Sequence, residues 1–303
     1  MGWRRHGLVL EPPRLGEWAR SHAMVPFVRS GGNGLELLFS ARDGSGRGHT
    51  GRALLELSRD GARARPDVIP LLSPGPLGAF DDSGAMGSCL VHHDGREHLY
   101  YIGWSRGVTV PFATFIGCAI STDGGRSFER VSRAPVVGRT DADPFLATSP
   151  WVIVEDGRWR MWYASGERWE ATEAGPKHYY RIVYAESEDG IEWKPSGRVC
   201  IDFAEDDEYA IARPCVLRDD GLYRMWFSHR GSAYRIGYAE SSDGLTWARQ
   251  DGRQGLAPEG LGWESQSVEY GCVFDHEETR WMLYNGNNYG ETGIGLAMHE
   301  GSA

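Results

Sequence analysis

Short apolar stretches, each the length of a β-strand, recur along the whole chain between turns rich in Gly and Asp. Four of them are unusually aromatic and lie at residues 99–103, 160–163, 224–227 and 281–284. A longer repeat follows two of these stretches: residues 180–193 read YRIVYAESEDGIEW, and residues 234–247 read YRIGYAESSDGLTW. A looser copy spans residues 116–128. Repeating units of this size, each made of several short strands, are typical of a β-propeller.

The order of elements within each repeat predicts a four-stranded blade. An inner strand comes first, the aromatic strand second, the Tyr-Ala-Glu-Ser strand third, and an outer strand follows a Ser-x-Asp-Gly-x-x-Trp turn. We predict five blades, at residues 21–60, 80–131, 141–197, 202–250 and 263–303. The last has no room for a fourth strand, whereas residues 3–10 have no other assignment. We therefore predict one all-β domain over residues 1–303, a five-bladed β-propeller whose ring is closed by an N-terminal strand that completes the last blade.

The acidic residues of the repeated turns are conspicuous, but we interpret them as structural. Ser121, Asp123 and Gly125 resemble the Asp box of sialidases, which is an element of the fold and not of catalysis. Asp and Gly suit a tight turn, and the aromatic residue that follows anchors it. Asp189 and Asp243 occupy the same place in their repeats. We expect all three acids to hold turns.

Composition excludes several functional classes. The 303 residues carry a net charge of -10 and no run of Lys or Arg, which disfavours a nucleic-acid partner and an anionic membrane surface. No apolar stretch could span a bilayer, and the N-terminus is too weakly apolar for a signal peptide, so we expect a cytoplasmic protein. The five cysteines show no CxxC spacing, which disfavours a disulfide framework or a zinc site. We expect them to be small buried residues.

Propeller geometry predicts where chemistry would lie. The start of each inner strand and the end of each second strand meet at one face, around the mouth of the central tunnel. The inner-strand starts carry His22, Asp81, Asp82, Asp141, Asp143, Asp207, Glu208, Glu264 and Glu269. The second-strand ends carry Arg42, Asp43, Trp104, Arg106, Trp169, Glu170, His229, Arg230, Asn285, Asn287 and Asn288. Acids beside arginines shift carboxyl pKa values, and aromatic faces can pack on sugar rings, so we predict a polar funnel that binds a small molecule.

These features resemble the five-bladed propeller glycosidase superfamily of arabinanases, β-xylosidases, invertases, levansucrases and mannoside phosphorylases. A more specific resemblance, over most of the chain, is to an uncharacterised bacterial subgroup. Three motifs carry it: Tyr-Ile-Gly-Trp-x-Arg-Gly-Val-Thr-Val-Pro at 101–111, Ala-Ile-Ala-Arg-Pro at 210–214 and Tyr-Asn-Gly-Asn at 284–287. The resemblance implies a carbohydrate-active enzyme with glycoside-hydrolase-like acid and base chemistry.

The superfamily pattern implies roles for four residues. Asp143 matches the orienting Asp and would tune the acid, and Glu208 matches the Glu acid. The first blade offers His22 where an Asp base is expected, so either Asp82 or His22 would be the base. An inverting pair would stand roughly 6.5–9.5 Å apart to admit water. Arg42, Arg106, Arg213 and Arg230 would hold substrate hydroxyls or an anionic group, which indicates a small anionic or activated sugar.

Two alternatives remain open at this stage. One is a biosynthetic lyase, isomerase or cyclase that uses the same funnel, which the loss of the usual base favours. The other is a propeller that binds a ligand or a protein without catalysis. No metal motif is present, and no cofactor is expected. The oxygen-rich ends of the inner strands would nevertheless suit a structural Ca²⁺ in the tunnel.

Overall fold

A computed structural model describes residues 2–31, 34–260 and 262–301, and nearly all of its regular structure is β-strand. The strands of the first half are β1 Trp3–Leu10, β2 Ser21–Gly31, β3 Gly34–Arg42, β4 Gly48–Ser58, β5 Gly61–Pro66, β6 Gly84–His93, β7 Arg96–Arg106, β8 Phe112–Ser121 and β9 Glu129–Arg130. Those of the second half are β10 Ala147–Glu155, β11 Arg158–Thr172, β12 Gly175–Ser187, β13 Trp193–Ile201, β14 Ala210–Asp219, β15 Leu222–Arg230, β16 Tyr234–Ser241, β17 Ala248–Arg249, β18 Glu269–His276, β19 Thr279–Asn285 and β20 Ile294–His299. Two helical turns, α1 Asp251–Gln254 and α2 Asn287–Gly290, and a 3₁₀ turn at Gly262–Glu264 complete the described elements. The prediction of an all-β chain is confirmed.

Neighbouring strands pair antiparallel in meanders that follow the chain. β2 to β5, β6 to β9, β10 to β13 and β14 to β17 each form such a meander, and β18 to β20 form another. The first strand of each meander contacts the first strand of the next, and β18 contacts β2. This succession places the first strands next to one another at the middle of the molecule.

The N-terminal strand belongs to the C-terminal meander. β1 runs antiparallel to β20, with Trp3 opposite His299 and Leu10 opposite Ile294, so that β1 is the fourth strand of that sheet. A second link joins the last meander to the first. The buried Asn285 carboxamide accepts a hydrogen bond from the Val25 amide at 2.9 Å and donates one to the Ala23 carbonyl at 2.6 Å. The N-terminal part of the chain is therefore joined to the C-terminal meander by the pairing of β1 with β20 and by the hydrogen bonds of Asn285.

The repeated acidic turns tie each meander to the one before it. Asp189 accepts backbone N–H bonds from Ile191 and Glu192, and these bonds hold its pKa below the usual range. The turn also receives a hydrogen bond from the preceding meander, since the Tyr100 hydroxyl donates to the Gly190 carbonyl at 2.6 Å. The Trp162 indole does the same to the Gly244 carbonyl at 2.8 Å. These contacts agree with the structural role that the sequence predicts.

Apolar side chains fill the space between the meanders. The largest completely buried ones include Trp162, Trp226 and Trp281, which come from the aromatic second strands. All five cysteines are free and buried, as expected. Burial raises the pKa of the Cys89 thiol to about 12, so this thiol stays protonated at neutral pH. Within the described residues, no helix is long and apolar enough to cross a membrane.

Candidate functional site

Each first strand is interrupted by an irregularity at the same level. The register shifts between Met24 and Phe27 in β2, and equivalent shifts interrupt β6, β10, β14 and β18. At four of these shifts a residue other than Gly has a left-handed backbone: Val25 (φ 53°), Ser149 (φ 53°), Arg213 (φ 56°) and Tyr270 (φ 58°). Such bulges re-aim side chains, and left-handed backbone is costly for a β-branched residue such as Val25. The strained positions mark the place where the first strands converge.

A cavity of about 280 Å³ lies at this convergence, and we call it the central cavity. It is lined by Met24, Val25, Arg42, Met86, Ile102, Phe112, Thr114, Leu146, Thr148, Ser149, His178, Tyr180, Ala212, Arg213, Tyr270 and Tyr289. Every first strand contributes to this wall. None of the described residues that line it is Asp or Glu. The central cavity is therefore a mostly apolar chamber whose charged groups are arginines.

Arg213 is the most deeply placed of these charged groups. Its side chain is completely buried and reaches across to two other meanders, donating to the Pro26 carbonyl at 2.9 Å and to the Ser88 hydroxyl at 3.3 Å. Its guanidinium also lies 5.6 Å from the ring of Trp151. Among the described residues, no carboxylate forms an ion pair with it, and its Nε has no partner. A buried cation without a countercharge is costly, so this arrangement favours an anionic ligand.

Arg42, at the end of β3, adds a second cation to the wall. Its guanidinium forms no hydrogen bond or ion pair with any described residue. Burial lowers its pKa from the ordinary value, although an arginine remains charged at any physiological pH. Both arginines therefore line the central cavity without an ion pair among the described residues, although the charge of Glu291 acts to raise the pKa of Arg42.

Aromatic groups of the third strands form one side of the central cavity. The His178 and Tyr180 rings stack almost parallel, with centroids 4.9 Å apart. Burial lowers the pKa of His178 to about 4, so the imidazole is neutral at pH 7. The Tyr180 hydroxyl lies 2.7 Å from that of Tyr234. These rings offer flat faces and polar edges, a combination that suits a sugar.

A smaller polar cavity of about 160 Å³ adjoins the central one and shares Tyr289 with it. We call it the second cavity. It is lined by Arg230, Ser232, Ala233, Tyr234, Gln266, Ser267, Glu269, Asn288 and Tyr289. Glu269 is buried, and burial raises its pKa to about 7 although the Tyr289 amide and Arg230 oppose this change. The carboxyl group in this region that can gain or lose a proton near neutral pH is thus Glu269.

Glu208, predicted as the acid, lies outside both cavities in a cluster of charges. Arg249 donates to both of its carboxylate oxygens at 2.9 Å, and His229 lies 2.7 Å from Oε1. Burial raises its pKa, but the bonds from His229 and Arg249 outweigh burial and hold the pKa well below the usual range. A carboxylate fixed in its charged form is poorly suited to donate a proton. The catalytic role of Glu208 remains a prediction that these contacts do not favour.

The other acids that precede first strands also bond to side chains of second or outer strands. Asp81 accepts from Tyr101 at 3.1 Å and from Arg130 at 2.8 Å. Glu264 accepts from Arg5 at 3.0 Å. Asp143 accepts from the Tyr163 hydroxyl at 2.8 Å, and burial raises its pKa. These acids point towards second and outer strands, and none of them lines the central cavity among the described residues.

The two predicted bases are also apart from the central cavity. Asp82 accepts from the Gly78 amide at 3.0 Å and the Ser83 hydroxyl at 2.8 Å, and it lines a separate surface depression with Arg106. His22 has a left-handed backbone with φ 63° and lies 2.9 Å from the Ser21 hydroxyl. Burial lowers the pKa of His22 to about 4, so it would accept a proton poorly near pH 7. Their roles as base remain predictions.

Four of the predicted binding residues face the two cavities: Arg42, Arg213, Arg230 and Glu269. The remainder have other contacts. Trp104 packs against the backbone of Gly48 and Gly84, where its indole fills the space of a side chain. Trp169 packs edge-on against two residues of the wall, Phe112 and His178. Arg106, His229, Glu264 and Asn285 bond to Ser45, Glu208, Arg5 and the β2 backbone, respectively.

Sequence reasoning missed the residues of the third strands. His178 and Tyr180 begin the inner part of β12, and Phe112 and Thr114 begin β8. A third strand runs in the same direction as a first strand, so its start lies at the same face. The predicted order of strands in a blade could therefore have placed the first residues of the third strands at the same face as the starts of the first strands. Tyr289 had none, because its position depends on a turn with a left-handed backbone.

The residues that line the central cavity do not fit the calcium ion that the sequence left open. Ca²⁺ takes six to eight oxygen ligands, most often carboxylates, whereas the described wall offers two guanidinium groups and no carboxylate. Ligand atoms of Glu208, His229 and Asp251 do lie within 4.8 Å of one another. Arg249 already neutralises that group by bonding both acids.

Solved structures share this fold across almost the whole chain. A glycoside hydrolase aligns with a TM-score of 0.77 at 18% identity and covers 98% of this chain and 91% of its own. A second structure belongs to the GH130 family of mannoside phosphorylases, which contains glycoside hydrolases that target beta-1,2 mannosidic linkages in Candida mannan. It aligns with a TM-score of 0.73 at 15% identity, and the alignment covers 100% of this chain and 94% of the other chain. A thermostable family-43 glycoside hydrolase aligns with a TM-score of 0.68 at 14% identity, and the alignment covers 97% of this chain and 95% of the other chain. The chain therefore shares the fold of these solved glycoside hydrolases.

Relatives in sequence identify the family more narrowly. Uncharacterized protein Rv1502 of Mycobacterium tuberculosis (strain ATCC 25618 / H37Rv) is 43% identical over 302 residues, which are 99% of this chain and 100% of the relative. Uncharacterized protein MT1551 of strain CDC 1551 / Oshkosh matches to the same extent. The chain belongs to the family of these mycobacterial proteins. No protein-family model matches the sequence.

Proposed function

We propose that this protein is a carbohydrate-active enzyme that binds a small anionic sugar derivative in the central cavity. The meanders would be the blades of a closed five-bladed propeller, with β1 completing the last one. The succession of contacts from β2 to β18, and the contact of β18 with β2, supports this ring. In such a ring the central cavity occupies the axis, at the mouth of the tunnel.

One observation carries the proposal about the ligand. Arg213 and Arg42 line the same cavity, and no described carboxylate forms an ion pair with either of them. A phosphate or carboxylate group would supply the missing charge and match the fork of a guanidinium. A volume of about 280 Å³ suits one sugar ring with such a group. The solved glycoside hydrolases of the same fold support a carbohydrate as the rest of the ligand.

The wall of the central cavity also fits a sugar ring. Phe112, Tyr180 and Tyr270 offer aromatic faces for the C–H groups of a pyranose. Thr114, Thr148 and Ser149 offer hydroxyl groups that can exchange hydrogen bonds with its hydroxyls. An apolar wall with a few polar groups is the usual character of a small-molecule site.

Ligand-induced thermal stabilisation tests the proposal. We expect glucuronate, galacturonate or a hexose phosphate to raise Tm, and glucose at the same concentration to raise it much less. Arg213→Met should abolish the difference, and Arg42→Met should reduce it. Arg106→Met is the matched control, because this exposed arginine lines a different depression. Equal responses to neutral and anionic sugars, or an unchanged response in Arg213→Met, would contradict the proposal.

A second candidate function is that of a lyase or isomerase acting on a sugar acid. The lack of carboxylates among the described residues of the cavity wall favours it. No carboxylate among the described wall residues could activate a water molecule in the central cavity. Elimination or isomerisation needs no such water, and paired arginines stabilise the negative charge that develops beside a carboxylate. Mass spectrometry of the product separates the two candidates, since hydrolysis adds the mass of water and elimination does not.

A further inference from the structure

A serine, a histidine and an aspartate outside both cavities form a continuous chain of hydrogen bonds. The Ser73 hydroxyl lies 3.2 Å from Nδ1 of His49, and Nε2 of His49 lies 3.3 Å from Oδ2 of Asp43. None of the three lines the central cavity or the second cavity. Nucleophilic acyl transfer requires these three kinds of group in this order: a nucleophile, a base, and an acid that orients the base.

Backbone pairing in the first meander brings the three residues together. Asp43 opens the connection between β3 and β4, and His49 is the second residue of β4. Thr50 forms an antiparallel bridge with Leu72, so Ser73 stands opposite His49. The arrangement is therefore fixed by the fold and does not depend on a chance contact between long side chains.

The direction of each hydrogen bond follows from the charge of Asp43. Burial acts to raise the pKa of this carboxyl, but bonds from Arg47, Ser45 and His49 outweigh burial and hold the pKa well below the usual range. An ionised carboxylate only accepts hydrogen bonds, so Nε2 of His49 donates to it. Burial lowers the pKa of His49, which leaves the imidazole neutral at pH 7 with its lone pair on Nδ1. The Ser73 hydroxyl therefore donates to Nδ1, as a serine does when its base is ready to take the proton.

Ser73 is open to solvent, whereas its two partners are buried. Within the described part of the chain, its hydroxyl has no hydrogen-bond partner other than His49. A surface depression of about 350 Å³ lies alongside, because Gly75 lines it together with Arg47, which donates to the aspartate at 2.9 Å. Leu77 gives this depression an exposed apolar side. The serine is therefore accessible to a small molecule with a short apolar group.

A guanidinium next to Ser73 provides positive charge. Nη2 of Arg130 donates to the Ser73 carbonyl at 2.5 Å, and its Nε donates to Asp81 at 2.8 Å. No described residue bonds its Nη1. Acyl transfer develops negative charge on the carbonyl oxygen, and a nearby donor of positive charge stabilises it. Arg130 therefore has a donor left for that oxygen.

We propose that Ser73, His49 and Asp43 form a second catalytic site, which hydrolyses the carboxylic ester of a short acyl group. Ser73 is the nucleophile and His49 is the base. Asp43 is a positioning residue, because it holds the imidazole in the tautomer that leaves Nδ1 free. This activity is independent of the carbohydrate site proposed above.

The reaction has two stages. Oγ of Ser73 forms a bond to the ester carbonyl carbon while its proton passes to Nδ1 of His49, and the carbonyl electron pair moves onto oxygen. When that pair returns, the C–O bond of the ester breaks, and the alcohol leaves with the proton from His49. Water then attacks the acyl-serine with help from the same base, and the acid is released from Ser73.

A fluorophosphonate probe tests the nucleophile, because it transfers its phosphonyl group to activated serines and releases fluoride. We expect a rhodamine-linked fluorophosphonate to label the wild type, and peptide mass spectrometry should locate the adduct on Ser73. Ser73→Ala should abolish labelling, and His49→Gln should slow it by about 100-fold. Ser132→Ala is the matched control, since this exposed serine bonds only the Ala134 amide among the described residues. Labelling of another serine, or no labelling of the wild type, would overturn the proposal.

Hydrolysis of 4-nitrophenyl acetate tests turnover and the role of Asp43. We expect a burst of about one 4-nitrophenol per chain, followed by steady release, and neither in Ser73→Ala. Ser73 is exposed, so this variant should keep the Tm of the wild type, which separates lost activity from lost folding. Asp43→Asn should slow the burst by about 100-fold, and Asp43→Glu should restore part of the rate. Equal rates in the two Asp43 variants would overturn its positioning role, and an unchanged burst in Ser73→Ala would overturn the site.

Discussion

Arg249 reaches across from the outer strand β17 and bonds both carboxylate oxygens of Glu208, each at 2.9 Å. The acid that the superfamily pattern singles out thus forms a two-pronged ion pair with a residue 41 positions later in the chain. Such a pair restrains the loop before β14 and keeps the carboxylate charged. Similar links fix Asp81, which accepts from Arg130, and Glu264, which accepts from Arg5.

Glu208→Gln should therefore reduce stability more than activity. The substitution removes the charge that the bonds from Arg249 and His229 stabilise, while Asp251 still pairs with Arg249, so we expect a loss of about 2 kcal/mol in the free energy of unfolding. Urea denaturation measures this change. The exposed pair of Glu56 with Arg65 is the control, and Glu56→Gln should cost less than about 1 kcal/mol. Full stability combined with lost turnover would restore Glu208 to the catalytic role.

Arg213→Met should uncouple ligand binding from stability. The substitution removes an unpaired buried charge and keeps most of the side-chain volume, so the ligand-free protein should lose no more than about 1 kcal/mol of stability. Stabilisation by anionic sugars should disappear. Denaturant titrations with and without 10 mM glucuronate, to within about 0.5 kcal/mol, would reveal both effects. A large loss of stability without ligand would mean that Arg213 is mainly structural.

Stability should depend on pH through Glu269. Folding raises the pKa of this carboxyl to about 7, so between its ordinary pKa near 4.5 and pH 7 the folded state binds more protons than the unfolded state. Its contribution is fully present below pH 4.5 and falls as pH rises, by about 3 kcal/mol in all. The stability difference between the wild type and Glu269→Gln, measured by urea denaturation from pH 4.5 to 8, should show this slope. A constant difference would contradict it.

The hydrogen bond from Tyr100 to the Gly190 carbonyl should stabilise the contact between two meanders. Tyr100→Phe removes a buried donor and leaves the carbonyl unpaired, which should cost about 1–3 kcal/mol. Activity should not change, since Tyr100 lines neither cavity. Tyr179→Phe is a suitable control because no described residue bonds the Tyr179 hydroxyl. Equal stability of the two variants would show that the turn is held by packing alone.

Deletion of residues 2–10 should destabilise the whole protein. It removes β1 and exposes the edge of β20, which would then be free to pair with other chains. We expect a lower Tm and concentration-dependent aggregation, measured by calorimetry and light scattering. Arg4→Ala keeps the strand and changes only an exposed side chain, so it should behave like the wild type. An unchanged Tm in the deletion variant would show that β1 does not contribute.

The strands and turns could be predicted from the sequence because the residue patterns that specify them are local and recur along the chain. The Tyr-Ala-Glu-Ser stretches become β12 and β16, and the turns at Asp189 and Asp243 form as their residue types predict. Even the pairing of β1 with β20 followed from counting strands.

The site could be predicted only in part, because the residues that contact one another in it lie far apart in the chain. The starts of first strands were located correctly, but a sequence does not show whether Glu208 points to the axis or to Arg249. That choice depends on a partner from another strand. Glu269 was identified only as a binding residue, since its high pKa results from burial beside α2 and β16. The left-handed backbone of Tyr289 has no sequence signal at all.

The union of β1 with β20 has a consequence for how the protein is made. β1 leaves the ribosome long before β20 and must wait for it before its edge is paired, and Asn285 can reach Val25 only at the same late stage. Long-range contacts of this kind slow folding. A nascent chain lacking its final residues would carry two open edges, which makes premature termination hazardous and favours chaperone protection during synthesis.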